Sequence, residues 1–211
     1  MTWLQWFQRA LNKYESPAAY YAEYKAYHAP LYDAVVRACP PPSTLLEVGA
    51  GIGLSAMALA EMGYLVDALE PDDEVRDLGV TVCTQLPESQ CSATFWAYSL
   101  GQATVQDDLF PPHDVVTCLG LLEHHDYPDR LVMLGQLALL APVVVVAIPS
   151  PLQLSINPPD MGEKAIGLDE LTAEVEAAGL EVVEAFGWGS VPNRMDYLSY
   201  CVVGRRASVA S

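Results

Sequence analysis

Apolar side chains along this chain gather into short uninterrupted runs, separated by stretches in which they recur every three or four positions. The runs Thr44–Val48, Tyr64–Leu69, Asp114–Leu119 and Val143–Pro149 stop near glycine or proline, a pattern that predicts strands buried on both faces. Further strands are predicted at Ala93–Ser99, Leu180–Phe186 and Leu198–Val203, and helices over Leu54–Glu61, Asp129–Leu140 and Asp169–Ala178. Upstream, Trp3, Trp6 and Phe7, then Tyr20, Tyr24, Tyr27 and Leu31, stand at helical spacing. They predict two amphipathic helices across residues 2–38, with Ser16-Pro17 as a break and restart, ended by Pro40-Pro41-Pro42. The segments Cys83–Cys91 and Ser150–Gly167 follow neither period and read as loops, the second long enough for a lid.

Strand and helix therefore alternate almost throughout. That alternation predicts one α/β domain with a mostly parallel sheet, helices on both faces and its ligand at the carboxyl ends of the strands. The expected division is a helical cap over residues 1–42 belonging to the same domain, a sheet domain over 43–205 and a tail over 206–211.

Composition narrows the partners. Acidic side chains number 27 against 10 basic ones, a formal net charge of -17, so the surface repels polyphosphate and a nucleic-acid partner is not expected. The same field favours a cationic ligand, although screening confines the effect to about 8–10 Å. Five cysteines without a C-x-x-C spacing signal neither a disulfide framework nor a metal site, so free thiols are expected. The first residues lack a basic-then-apolar leader and Pro142 breaks the greasy stretch Leu137–Ile148, so a soluble, cytoplasmic protein with no membrane partner is expected.

The strongest chemical signal is Glu47-Val48-Gly49-Ala50-Gly51-Ile52-Gly53, a strand running into a turn with glycine at every second position and a helix behind it. A dinucleotide fingerprint would need glycine at position 54, which is Leu54. Glu70, about twenty positions on, ends the second strand where a carboxylate can accept two ribose hydroxyls. The pattern instead resembles motif I of the class I S-adenosylmethionine-dependent methyltransferases, in which an acidic residue precedes G-x-G-x-G. The resemblance implies a Rossmann-like fold with a seven-stranded sheet and N-terminal cap helices, and S-adenosyl-L-methionine as cofactor. It also implies cofactor contacts from Glu47, Gly49, Ala50, Gly51, Gly53, Glu70, Pro71, Leu100 and Leu119.

The resemblance continues at Leu122-Glu123-His124, which looks like the L-E-H after the family's fourth strand, and is greatest to small-molecule members of the ubiquinone/menaquinone-type, methyltransferase type 11-like group. Two departures stand out. Leu140-Ala141-Pro142 reaches the fifth strand without the usual P-G-G-like turn, and the acid that often holds the adenine amino group after the third strand is missing. Ser99 is nominated in its place.

His124 and His125 lie just past a strand end, where an imidazole near its ordinary pKa of ~6.5 can take a proton from a hydroxyl. They and His28 are the candidate catalytic residues, with capping or packing as the structural alternative for His124. Tyr20, Tyr21, Tyr24 and, in the long loop, Asn157 are candidate substrate contacts; aromatics at helical spacing equally build core. Asp160, Glu163 and Lys164 rank below His124. The function implied is methyl transfer to a hydroxyl or amine of a small molecule, with a homodimer among the partners considered. Two alternatives stay open: a non-methylating cyclisation or decarboxylation on the same cofactor, and a cofactor-binding partner subunit without turnover.

Overall fold

The computed structural model of the chain describes residues 1–86, 93–105, 110–158, 161–192, 194 and 196–207. Strand β1 (Thr44–Val48) is buried on both sides, and its neighbours β2 (Leu65–Leu69) and β4 (Val115–Leu119) run parallel to it, with Leu45 opposite both Val66 and Val115. β3 (Thr94–Trp96) extends the parallel sheet beyond β2, and β5 (Val143–Pro149) beyond β4. The last two strands, β6 (Leu180–Ser190) and β7 (Tyr197–Arg206), pair antiparallel, and β7 lies between β5 and β6, giving the order β3-β2-β1-β4-β5-β7-β6. The short link between β6 and β7 permits only a hairpin, which forces the direction change at that edge.

Alternation along β1 divides two cores. Leu45 faces helices α2 (Pro17–Tyr27), α3 (Ala29–Ala38), α4 (Leu54–Glu61) and α5 (Asp73–Cys83). Leu46 and Val48 face α6 (Leu100–Ala103), α7 (Tyr127–Leu140) and α9 (Leu168–Ala177). Glu47, between Leu46 and Val48, accordingly points toward the first of these faces, under the N-terminal helices.

Several predicted elements change. The two expected N-terminal helices are three, α1 (Trp3–Leu11), α2 and α3, because Pro30 has no N–H to continue the ladder of α2 and starts α3 instead, with His28 at the junction. α5 lies where no helix was predicted: Asp72 caps it by accepting from Glu74 and Val75 N–H, and Gly79 brings it so close that an added Cβ would stand 3.0 Å from Ile52 O. The expected lid loop contains α8 (Pro151–Ile156), and its later part is fastened down, with Lys164 N–H donating to Glu123 O at 2.8 Å and Ile166 fully buried. β6 and β7 are longer than predicted and β3 shorter; most of the expected 83–91 loop lies outside the described residues, as does Asp160. Cys83 is in a disulfide, which corrects the expectation of free thiols throughout; Cys39, Cys118 and Cys201 are free. Spacing alone could not reveal that pairing, because tertiary approach and not sequence separation brings sulfurs together. Among the described residues no helix is long and apolar enough to cross a membrane.

Polar ties hold the layers in register. Ser55, buried in α4, shares hydrogen bonds with the hydroxyls of Tyr24 at 3.0 Å and Tyr32 at 3.1 Å, and Lys25 pairs with Glu61, so the cap is fastened to the sheet layer. On the other face the buried Arg130 of α7 donates through Nε to Glu174 of α9 at 2.8 Å, through Nη2 to Glu170 at 3.1 Å, and through Nη1 to His125 O at 3.0 Å. Removing the guanidinium leaves Glu174 buried and unpaired. Arg130→Met is expected to cost about 3–5 kcal/mol in urea unfolding, and Arg130→Met/Glu174→Leu distinctly less, because the second change removes the stranded charge.

Candidate active site

At the end of β1 the chain turns through Gly49, Ala50, Gly51, Ile52 and Gly53 into α4. Gly51 and Gly53 have φ of +57° and +76°, and a Cβ on them would lie 2.5 Å from the Phe7 ring and 2.2 Å from the Phe95 ring. Both the conformation and the close approach of these rings require glycine. The turn is tied across to the end of β2: Gly51 N–H donates to Glu70 Oε2 and Asp72 N–H to Glu70 Oε1, each at 2.9 Å. Arg76 Nη1 donates to Glu70 O at 3.0 Å. Burial raises the Glu70 pKa, opposed mainly by these two backbone N–H groups.

A cavity of about 550 Å³ opens over this turn. Glu47, Gly49, Ala50, Gly51, Glu70, Pro71, Ser99, Leu100 and Leu119, all expected at a cofactor, line it; Gly53 instead packs under Phe95. Glu47 is buried, its Oε2 has no partner, and burial pushes its pKa up to about 8 against a single opposing influence, the Ala56 N–H. Ser99 caps α6, its hydroxyl donating to Gln102 Oε1 at 3.0 Å, so much of its capacity serves the helix. Sequence reading missed Asp72, Met133 and Gln136, and also the part played by Trp3, Trp6 and Phe7, which roof the cavity from α1. The amphipathic spacing of those aromatics was visible, but the surface they cover was not.

A second cavity of about 480 Å³ shares Trp6, Tyr24, Leu119 and Gly120 with the first. Tyr27, His28, Gln153, Asn157 and Trp188 are among its other walls. The predicted catalytic histidines separate. The chain leaves β4 through Gly120 and a 3-10 turn, Leu122–His124, that buries Leu122 and Glu123. His125 consequently lines the first cavity and His28 the second, whereas His124 lines neither. Its ring stands edge-on to Trp3 at 4.9 Å, and its Nδ1 is 3.2 Å from Met161 O. Tyr20 and Tyr24 reach the cavities; Tyr21 lines neither and is packed into the core. Glu163 accepts from Met161 N–H at 2.9 Å within the loop, and Lys164 pairs with Asp126 at 2.6 Å, tying the loop to the start of α7. Among the described residues no group of three or more His, Cys, Asp and Glu is gathered as a metal ion would need.

No protein-family model matches the chain, and no curated protein matches it in sequence. Solved structures do match its shape. The magnesium protoporphyrin IX methyltransferase of Synechocystis PCC 6803, with bound SAH, gives a TM-score of 0.67 at 18% identity, over 86% of this chain and 84% of that one. The glycopeptide N-methyltransferase MtfA complexed with S-adenosyl-L-homocysteine gives 0.68 at 13% identity, over 85% of this chain and 89% of that one. An O-methyltransferase family protein from Burkholderia thailandensis gives 0.65 at 15% identity, over 92% of this chain but 60% of that longer one. The fold is the Rossmann-like methyltransferase fold.

The buried acids set a pH dependence of stability. Glu47 and Glu123 are both pushed up to about 8 by burial, well above an unfolded carboxyl near ~4.3, so the folded chain holds protons that the unfolded chain has lost. Stability contributed by these neutral acids is therefore lost as pH rises from about 4.5 to 8. Glu47→Gln is expected to make the fall of the thermal midpoint shallower by roughly 2–4 °C per pH unit between pH 6 and 8, as read by calorimetry.

Proposed function

We propose that the chain is an S-adenosylmethionine-dependent methyltransferase acting on a small molecule. The observation that carries this reading is Glu47, a buried carboxyl in the cavity wall with an oxygen that no protein group pairs. An ammonium group beside it would supply the missing donors and hold it ionised. One strand across, the oxygens of Glu70 each keep a lone pair after accepting from Gly51 and Asp72 N–H, which suits two neighbouring ribose hydroxyls. An amino acid joined to a nucleoside satisfies both ends of one cavity. Nicotinamide dinucleotides fit less well, because Leu54 replaces the third glycine of their fingerprint. The Leu122-Glu123-His124 segment supports placing the chain in the ubiquinone/menaquinone-type group.

When bound, the cofactor supplies a methyl group on a sulfonium, an electrophile that is already activated. The protein's part is then mainly positioning. Glu47 and Glu70 fix the two ends, the glycine turn lets backbone approach closely, and α1 lays Trp3, Trp6 and Phe7 over the opening to exclude water. Leu119 and Gly120 form the passage to the second cavity, where the acceptor sits. His28 and His125 are the groups placed to take a proton; His124 holds the 3-10 turn and the loop at Met161. The named neighbours act on magnesium protoporphyrin IX and on a glycopeptide, which supports a non-polymeric acceptor without specifying it.

Isothermal titration tests the reading. S-adenosylmethionine and S-adenosylhomocysteine are expected to bind, and Glu70→Ala to weaken both at least tenfold; binding of NAD in their place would overturn it. Because Glu47 is protonated at neutral pH in the free protein, pairing with an ammonium must release that proton. Affinity is then expected to rise by up to about tenfold per unit between pH 6 and 7.5, and to level off near the ligand's own amino pKa of ~8. Glu47→Gln should flatten this slope, and titrations in buffers of different ionisation enthalpy should count the proton.

A further inference from the structure

The second cavity differs from the first in its chemistry. Among its described lining residues there is no Asp, Glu, Lys or Arg, in a chain with a formal net charge of -17. Its walls are Trp6, Tyr24, Tyr27, His28 and Trp188, completed by short apolar residues at the carboxyl end of β5 and by the amides of Gln153 and Asn157. The aromatic groups brace one another: Tyr24 lies 4.1 Å from the His28 ring, Tyr27 stands edge-on to that ring at 4.9 Å, and Trp188 lies 6.1 Å from both Tyr27 and His28. Tyr27 and Ser199 satisfy each other through a 2.8 Å hydroxyl contact.

His28 has a fixed proton. Its Nδ1 lies 2.9 Å from Tyr24 O, and a carbonyl can only accept, so Nδ1 carries the hydrogen and Nε2 presents a bare lone pair. No protein group donates to Nε2 among the described residues. Burial lowers the ring's pKa to about 4, so it is an uncharged acceptor at neutral pH.

We infer that this cavity binds an uncharged, flat aromatic compound bearing a hydroxyl group, its ring against Trp6 and Trp188 and its hydroxyl donating to Nε2 of His28. The inference rests on the methyltransferase reading only for the fate of that hydroxyl, which would be the methyl acceptor beside Leu119 and Gly120. A carboxylate, phosphate or alkylammonium entering here would shed water and find no countercharge, whereas a neutral ring loses little hydration and gains stacking. A phenolic O–H supplies the one donor that Nε2 lacks. The volume of about 480 Å³ accommodates one or two fused rings with their substituents. Of the two acceptor groups that the sequence leaves open, the walls favour the hydroxyl over the amine, because an alkyl amine is protonated at neutral pH.

The test uses three probes of one size: 2-naphthol, 2-naphthoate and 2-naphthylmethylammonium, each titrated calorimetrically into the full chain saturated with S-adenosylhomocysteine. The expected result is that naphthol binds at least tenfold more tightly than either ion. Trp188→Leu and His28→Phe should each weaken naphthol at least fivefold while leaving S-adenosylhomocysteine within twofold. Gln153→Lys, at a half-buried position of α8, removes no core packing and should raise the affinity for naphthoate. Equal or tighter binding of an ion to the parent protein, or naphthol binding indifferent to both Trp188→Leu and His28→Phe, overturns the inference. If S-adenosylhomocysteine itself fails to bind, the cofactor reading falls instead, and the same three titrations on the protein alone still decide the cavity's preference.

Discussion

The hydrogen bond from Gly51 N–H to the Glu70 carboxylate joins the turn after β1 to the end of β2, and the geometry of the site hangs on it. A chain that turns at the buried end of a parallel strand leaves backbone donors without water, and a carboxylate sinking beside them is equally short of partners. Each satisfies the other. The turn thus fixed has no Cβ at Gly51 or Gly53, so Phe7 of α1 and Phe95 of β3 lie directly on it. From the remaining side, Gly79 lets α5 close on Ile52 O. Helix α1, strand β3 and helix α5 thereby meet at one loop of five residues.

Electrostatics then divides the site. The first cavity concentrates buried acid, with Glu47 incompletely paired and Glu70 held by two N–H groups. The second, across Leu119 and Gly120, is walled by rings and amides. A protein of this net charge has no shortage of carboxylates, and among the described residues their absence from one chamber and burial in the other give neighbouring spaces different electrostatic character. The burial costs the folded chain stability progressively from about pH 4.5 to 8, because the unfolded chain has lost protons that the buried acids still hold. On the cofactor role proposed for Glu47, function and stability pull on the same residue.

Much of this was legible without coordinates. All seven strands of the described sheet were located, the central parallel ones because they are buried on both faces and must be apolar throughout. The glycine turn and both carboxylates were legible because special backbone angles and buried charges admit few residue types. What failed was local in appearance and tertiary in cause. α5 carries Val75, Leu78 and Val82 at helical spacing behind a cap at Asp72, but the run is short and its close seating depends on Gly79 meeting Ile52. Three N-terminal helices looked like two because Pro30 was not weighed as a restart. His124 and His125 are adjacent and chemically identical, so which one faces the cavity depends on a 3-10 turn whose register is set by burying Leu122 and Glu123.

The sequence by itself determined the layers, the turn and the acids that hold it, since each follows from local steric limits or from the need to bury an uninterrupted apolar run. Only the tertiary structure decided which aromatics line a cavity and which fill a core, separating Tyr24 from Tyr21. It alone showed that the described residues walling the second chamber include no Asp, Glu, Lys or Arg. Periodicity assigns a side chain to a face of its own helix, whereas the identity of what that face meets comes from distant segments of the chain, here Leu119, Gln153 and Trp188 against Trp6, Tyr24, Tyr27 and His28.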